Sequence, residues 1–156
     1  MRYRNAIKDD IPQLVDMRIS YLKEDFNGLN KTEIPQLSER LSIYFGKHLG
    51  RDLRVYVCEA NNYIIATVFL IVSEKPANPS FINGKLGHIM NVYTRPPYRR
   101  QGIAGELVKI AISEAKRLNL SFIDLEATKD GYKLYSHFGF EDRNSKYLPM
   151  RLDLNK

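Results

Sequence analysis

The 156-residue sequence has no tryptophan and only one cysteine, Cys58, so an intrachain disulfide is excluded, and a disulfide-stapled scaffold with it. It has three histidines, His48, His88 and His137, which stand far apart; with a lone cysteine they offer no metal-ligand spacing, and no metal is expected. No uninterrupted apolar run approaches the roughly 20 residues of a membrane span, and MRYRNAIKDDIPQL at the start has no apolar core of signal-peptide length. No membrane partner and a cytoplasmic location are expected, which agrees with the single thiol. Neither GxxxxGK[ST] nor GxGxxG occurs, which removes the P-loop and the dinucleotide fingerprint.

What is present is an ordinary globular balance, 44% hydrophobic and 27% charged residues, in a chain of a length that suits one core. A single domain over residues 1–156 is expected. Twenty-four Lys and Arg against eighteen Asp and Glu leave a formal charge of +6, which favours an anionic partner. Nucleic acid, a membrane surface and a phosphate-bearing cofactor all meet that description.

Hydrophobic periodicity divides the chain into alternating elements. Met1 to Lys8 reads as a short strand, and Asp9 and Asp10 offer an N-cap to a helix with Pro12 in its first turn and Ile11, Leu14, Val15, Arg18 and Leu22 at helical spacing. Leu37, Leu41, Phe45 and Leu49 recur every four residues and predict a second helix over Thr32 to Leu49. Arg54 to Ala60 and Tyr63 to Val72 flank Asn61-Asn62 as a hairpin, because Asn tolerates positive φ. A loop rich in Pro, Asn and Gly precedes a strand over Leu86 to Thr94, and a third helix runs from Ile103 to Leu118. Ser121 to Thr128 reads as a strand, Gly131 to Phe138 as a short helix, and Phe140 to Leu154 as a closing pair of strands. The order predicts an α/β (α+β) fold, a mixed sheet with helices on both faces.

Between strand and third helix stands RPPYRRQGIAGEL, Arg95 to Leu107. The first N–H groups of a helix lack internal partners and the macrodipole adds roughly half a positive charge there. Gly102 and Gly105 do not block approach, Ala104 hardly does, and Arg99 and Arg100 add charge, so a pyrophosphate suits this end. A plain helix entry would carry the same residues. Pro96-Pro97 cannot donate ladder hydrogen bonds, so a gap in the sheet is expected beside them, where strand amides at Val92 to Thr94 could bond an elongated ligand.

NVYTRPPYRRQGIAGEL resembles motif A of the GNAT superfamily of N-acetyltransferases, whose R/Q-x-x-G-x-G/A pattern is met by Arg99, Gly102 and Ala104. LEATKDGYKLYSHFGF resembles the family's next strand and motif B, with Leu134, Tyr135, Gly139 and Phe140 in place. The resemblance implies a mostly antiparallel mixed sheet and acetyl-CoA as donor. It implies that backbone groups of Val92, Tyr93 and Thr94 hold the pantetheine arm while Arg99, Arg100, Gln101, Gly102, Ile103, Ala104 and Gly105 wrap the pyrophosphate. Homodimers are common in the family, and no surface stripe in this sequence demonstrates one.

Acetyl transfer needs an amine lone pair at the thioester carbonyl, donors for the developing oxyanion and a proton for the thiolate. Tyr135, at the place of the motif B tyrosine, can give that proton, or can pack on the core beside Leu134 and Phe138. Strand alternation puts His88, Met90, Val92 and Thr94 on one face, and His88 aligns with a glutamate of histone-directed relatives, which makes it a candidate base beside an ordered water. Glu126 shares a face with Asp124 and Thr128 and could attract a cationic substrate or take its proton; Glu24 and Asp25 are further candidates, with Tyr21 and Phe26 as lining. Two rivals remain at this stage. A nucleic-acid module using Arg95, Arg99 and Arg100 would explain the charge but not motif B, and a CoA-binding subunit without turnover would keep the fold.

Overall fold

The computed structural model describes residues 1–155. Contacts within the chain form two compact units, a first over Met1–Glu126 and a second from Ala127 onward.

The first unit is a five-stranded sheet in the order β1-β2-β3-β4-β5, with β1 at Arg2–Asn5, β2 at Leu53–Ala60, β3 at Tyr63–Glu74, β4 at Lys85–Thr94 and β5 at Ile123–Asp124. The first four pair antiparallel, and β4 and β5 pair parallel through the crossover helix α3, Ile103–Arg117. Helices α1, Ile11–Asp25, and α2, Glu33–His48, complete the unit. Alternation explains the two faces. Val55, Val57 and Phe69 join Leu14 and Met17 of α1 and Phe45 of α2 in one core cluster, while Tyr56, Cys58, Val68 and Leu70, equally buried, face the other way toward the buried stripe of Ile103, Leu107, Val108 and Ala111 on α3. Each fully buried Leu or Ile contributes about 1.5–3 kcal/mol, and burial on both faces is why β2 and β3 read as nearly continuous apolar runs.

The hairpin forms where the asparagines stand, with Asn61 and Asn62 at φ 52° and 67°. Asp10 departs from its expected role. It sits in a 3-10 turn, Lys8–Asp10, ahead of α1 and gives that helix no side-chain cap; instead Asp10 accepts from the Ile7 N–H at 2.7 Å and from Arg4 at 2.7 and 3.0 Å. Arg4 also reaches Glu59 at 2.9 Å, so this cluster ties β1 to β2 and to the entry of α1.

Two strand expectations are corrected. β5 has two residues, not the eight of Ser121 to Thr128, and ends at Asp124. The closing strands over Phe140 to Leu154 do not form. Leu148, Met150, Leu152 and Leu154 keep the period of two, yet are 81–95% exposed. Alternation says which face a strand would bury; a strand also needs a partner edge and a surface to cover that face. The second unit holds helix α4, Lys129–His137, started by Thr128, whose hydroxyl accepts from the Gly131 N–H at 3.1 Å.

Candidate functional site

Helix α3 begins at Gly102, which has φ 77° and no side chain to satisfy the amides that follow. The first helical bond here runs from Glu106 N–H to the Gly102 carbonyl at 3.1 Å, so the N–H groups of Ile103, Ala104 and Gly105 precede it and stay open to a ligand. Arg100 is also left-handed, at φ 61°, separated from Gly102 by Gln101. Left-handed residues in such alternation gather successive N–H groups into an anion-binding concavity. Pro96–Tyr98 form a 3-10 turn that leads into it.

The arginines divide differently from the sequence expectation. Arg99 donates from Nε to the Thr94 carbonyl at 2.7 Å and from Nη2 to both Glu24 carboxylate oxygens at 2.8 and 3.0 Å, with its guanidinium 5.4 Å from the Tyr93 ring centroid. Arg95 pairs with Asp16 at 2.7 Å. Two of the three arginines thus bind the turn to α1, and Arg100 alone of the three has no ion-pair partner among the described residues. Glu24 is correspondingly spoken for: Arg99 holds its carboxyl below the ordinary carboxylate range, which makes it a poor base.

β4 carries the second half of the site. Its pairing with β5 stops at His88↔Asp124, so among the described residues its edge from Ile89 to Thr94 has no partner strand on that side. The gap is therefore real but has another cause than the one expected. Pro96-Pro97 follow the strand, which pairs with β3 as far as Thr94↔Ala66, and Arg95 still donates to the Ile65 carbonyl at 2.8 Å. The gap opens because β5 is short.

A bulge sits at the same place. Register shifts between Thr67 and Phe69, where Met90 faces Phe69 and Tyr93 faces Thr67, and Asn91 has φ 52°. Paired residues share a face, so His88 and Met90 lie with Tyr93, on the α1–α2 side, and the alternation that grouped them with Val92 and Thr94 breaks at the extra residue. On that side Tyr93 meets Tyr21 edge to face at 6.0 Å between centroids. Tyr93 thus offers the cleft its backbone rather than its ring.

His88 is joined to Asp124 across the last paired position, Nδ1 to Oδ1 at 2.7 Å. Glu126 lies beyond the end of β5 and is exposed, so the shared strand face expected for it with Asp124 and Thr128 does not exist. Phe26 is 66% exposed at the end of α1, and Asp25 is exposed beside it. Tyr135 belongs to the second unit, where it is buried on α4 with its ring edge-on to Phe140 at 5.9 Å. Gly131 makes room for it, since a Cβ there would stand 2.9 Å from Tyr135 Cε2.

The acetyltransferase (GNAT) family model matches residues 16–140, most of the chain and both motifs. The chain is a member of the GNAT acetyltransferase family. Among solved structures it is similar to a predicted acetyltransferase from Clostridium acetobutylicum determined with acetyl-CoA, with 32% identity over 96% of this chain and 95% of that one and a TM-score of 0.85. A GCN5-related N-acetyltransferase from Ralstonia eutropha JMP134 (24% identity, 96% and 97% covered, TM-score 0.76) and a transcriptional regulator from Bacillus halodurans C-125 (21%, 97% and 99%, TM-score 0.74) share the fold. The sequence matches no curated protein.

For a GNAT chain the residues present suit acetyl-CoA. Bare amides head α3, Gly102 keeps a conformation that a side chain would strain, and the open edge of β4 offers main-chain groups to an extended arm. Among the described residues no helix is long and apolar enough to cross a membrane, and no group of three or more His, Cys, Asp or Glu could hold a metal. Sequence reasoning missed one constellation. Arg18 donates to Asn91 Oδ1 at 2.9 Å, Asn91 Nδ2 donates to Thr67 Oγ1 at 3.0 Å, and Thr67 Oγ1 donates back to the Asn91 carbonyl at 3.2 Å. Asn in the middle of an apolar strand was the available signal, because a buried amide needs partners.

Proposed function

We propose that the protein transfers an acetyl group from acetyl-CoA to a primary amine by direct attack, with no acyl-enzyme. The observation that carries the reading is the pairing of α3's uncapped N-terminus with the unpaired edge of β4, in a chain of this family. Acetyl-CoA supplies the acetyl group as a thioester. Residues Arg100 to Gly105 hold its pyrophosphate through backbone N–H groups and the charge of Arg100, Arg99 braces the turn against Glu24, and Val92 to Thr94 align the pantetheine arm.

The amine nitrogen forms a C–N bond with the thioester carbon, and an amide of β4 near Val92 donates to the carbonyl oxygen as charge gathers there. An ionised carboxylate only accepts, so the His88 tautomer suited to Asp124 carries its proton on Nδ1, and Nε2 keeps a lone pair. His88 takes the amine proton directly or through a water, and Asp124 orients and stabilises the resulting imidazolium. The C–S bond then breaks, and the thiolate takes a proton from Tyr135, the residue at the place of the family's motif B tyrosine. Glu126, exposed beyond β5, is left the lesser role of attracting a cationic acceptor.

The ion pairs of Arg95 and Arg99 leave little of the basic stripe that a nucleic-acid partner would need. A thermal-shift measurement with acetyl-CoA, followed by assay of thiol release across polyamines, amino acids, aminoglycosides and peptides, tests the proposal. Stabilisation by acetyl-CoA with amine-dependent thiol release is expected; stabilisation without release for any amine would favour a CoA-binding subunit, and no stabilisation would refute the reading.

A further inference from the structure

Arg18 on α1 is a half-buried cation on which the nearby acidic Asp25 acts only from beyond ion-pairing distance. Its guanidinium has five N–H donors, and its one hydrogen bond among the described residues is the 2.9 Å donation to Asn91 Oδ1. No carboxylate lies within ion-pairing distance of it among the described residues. It leans over the Tyr21 ring, 5.5 Å from guanidinium carbon to centroid. Burial lowers its pKa from the ordinary guanidinium value, outweighing the opposing pull of Tyr21, Asp25 and Tyr44.

The guanidinium lines a cavity of about 680 Å³ whose apolar wall is Leu22, Phe26, Leu29 and Leu37, from α1, α2 and the loop between them. That volume is in the range of small-molecule pockets. At the rim Glu33, Glu39 and Arg40 are exposed, and water screens them, so Arg18 is the charged group that a guest in the cavity would meet desolvated. Asn91, which Arg18 bonds, is the left-handed residue of the β4 bulge and immediately precedes Val92, where the acyl carbonyl is expected. Arg18 thus links the wall of the cavity to the residue beside the expected reacting centre.

We infer that the acceptor is a small primary amine bearing a carboxylate and an apolar body, that Arg18 binds the carboxylate bidentately, and that the wall of Leu22, Phe26, Leu29 and Leu37 takes the apolar part. The inference rests on the acetyl-transfer reading and narrows its acceptor class. A planar guanidinium matches a carboxylate with two parallel N–H donors, and removing one partner of such a pair in a partly desolvated site leaves the other charge unpaired. A purely structural Arg18, present only to hold Asn91, would treat charged and neutral acceptors alike.

The test compares leucine and phenylalanine with leucinamide and phenylalaninamide and with isoamylamine and phenethylamine, using acetyl-CoA and wild type, Arg18→Gln and Arg18→Lys. Gln keeps a donor for Asn91 and removes the charge. Wild type is expected to prefer the carboxylates by at least about tenfold in kcat/KM; Arg18→Gln abolishes the preference, mainly through KM, and leaves the neutral amines within about threefold. Binding of N-acetylleucine and N-acetylleucinamide, followed calorimetrically, reads the same contact without turnover, and only the former should weaken in Arg18→Gln. The inference is overturned if wild type does not prefer carboxylates in either readout, or if Arg18→Gln lowers charged and neutral acceptors equally. Stabilisation by acetyl-CoA is followed in parallel: retained stabilisation with no carboxylate preference in wild type sinks this inference alone, whereas absent stabilisation sinks the acetyl-transfer reading and this inference together.

Discussion

Replacing Gly102 separates the cost of folding the phosphate turn from the cost of binding through it. Gly102 has φ 77°, and a Cβ built there meets nothing within 4 Å, so Ala introduces backbone strain without a clash. A non-glycine residue held left-handed costs roughly 1–2 kcal/mol, which for a chain of this size lowers Tm by about 2–8 °C. If the turn relaxes, the amides at the head of α3 lose their common aim, and one hydrogen bond to a charged group is worth about 1.5–3 kcal/mol, or roughly 10- to 150-fold in Kd. Gly102→Ala should therefore lower kcat/KM for acetyl-CoA by about that factor, with little change for S-acetylpantetheine, which has no pyrophosphate. Denaturant melts and initial rates with the two donors make the measurement. Equal losses with both donors, or a destabilised protein that binds acetyl-CoA as wild type does, would refute the assignment of these amides to the pyrophosphate.

Three further outcomes are expected. His88→Ala should lower kcat by about 10²–10⁴, and Asp124→Asn should do so in part, whereas an unchanged kcat would assign deprotonation to water alone. Tyr135→Phe should slow turnover while acetyl-CoA still stabilises the protein, and equal loss of both would mark a packing role. Asp10 is ionised below the usual carboxylate range because Arg4 bonds it and the Ile7 N–H assists against burial, so its contribution is present above about pH 4 and fades as pH falls through the lowered value. Asp10→Asn should cost about 3 kcal/mol at pH 7 in urea melts, with the difference from wild type shrinking in acid; a difference independent of pH would contradict this.

Much of the first unit was legible because it follows rules local to the chain. Asn61-Asn62, the four-residue spacing of Leu37, Leu41 and Phe45, and the glycine at the head of α3 each specify their conformation within a few residues. The bulge at Asn91 was not legible, because a single inserted residue reverses every face after it while leaving the alternation of residue types intact. That is why alternation alone groups His88 with Val92 and Thr94. Arg99 and Glu24 were both read as site residues; their pairing across 75 positions belongs to tertiary structure. The alternating residues from Leu148 to Leu154 gave a strand pattern with no strand, since periodicity carries no information about a partner edge.

The central claim is that the head of α3 and the free edge of β4 together receive acetyl-CoA, and amide hydrogen exchange with and without acetyl-CoA tests it most directly. Protection should appear at Ile103 to Gly105 and along Ile89 to Thr94, with Arg2–Asn5 of β1 unaffected. Binding that protects neither segment, or no binding at all, would contradict the account.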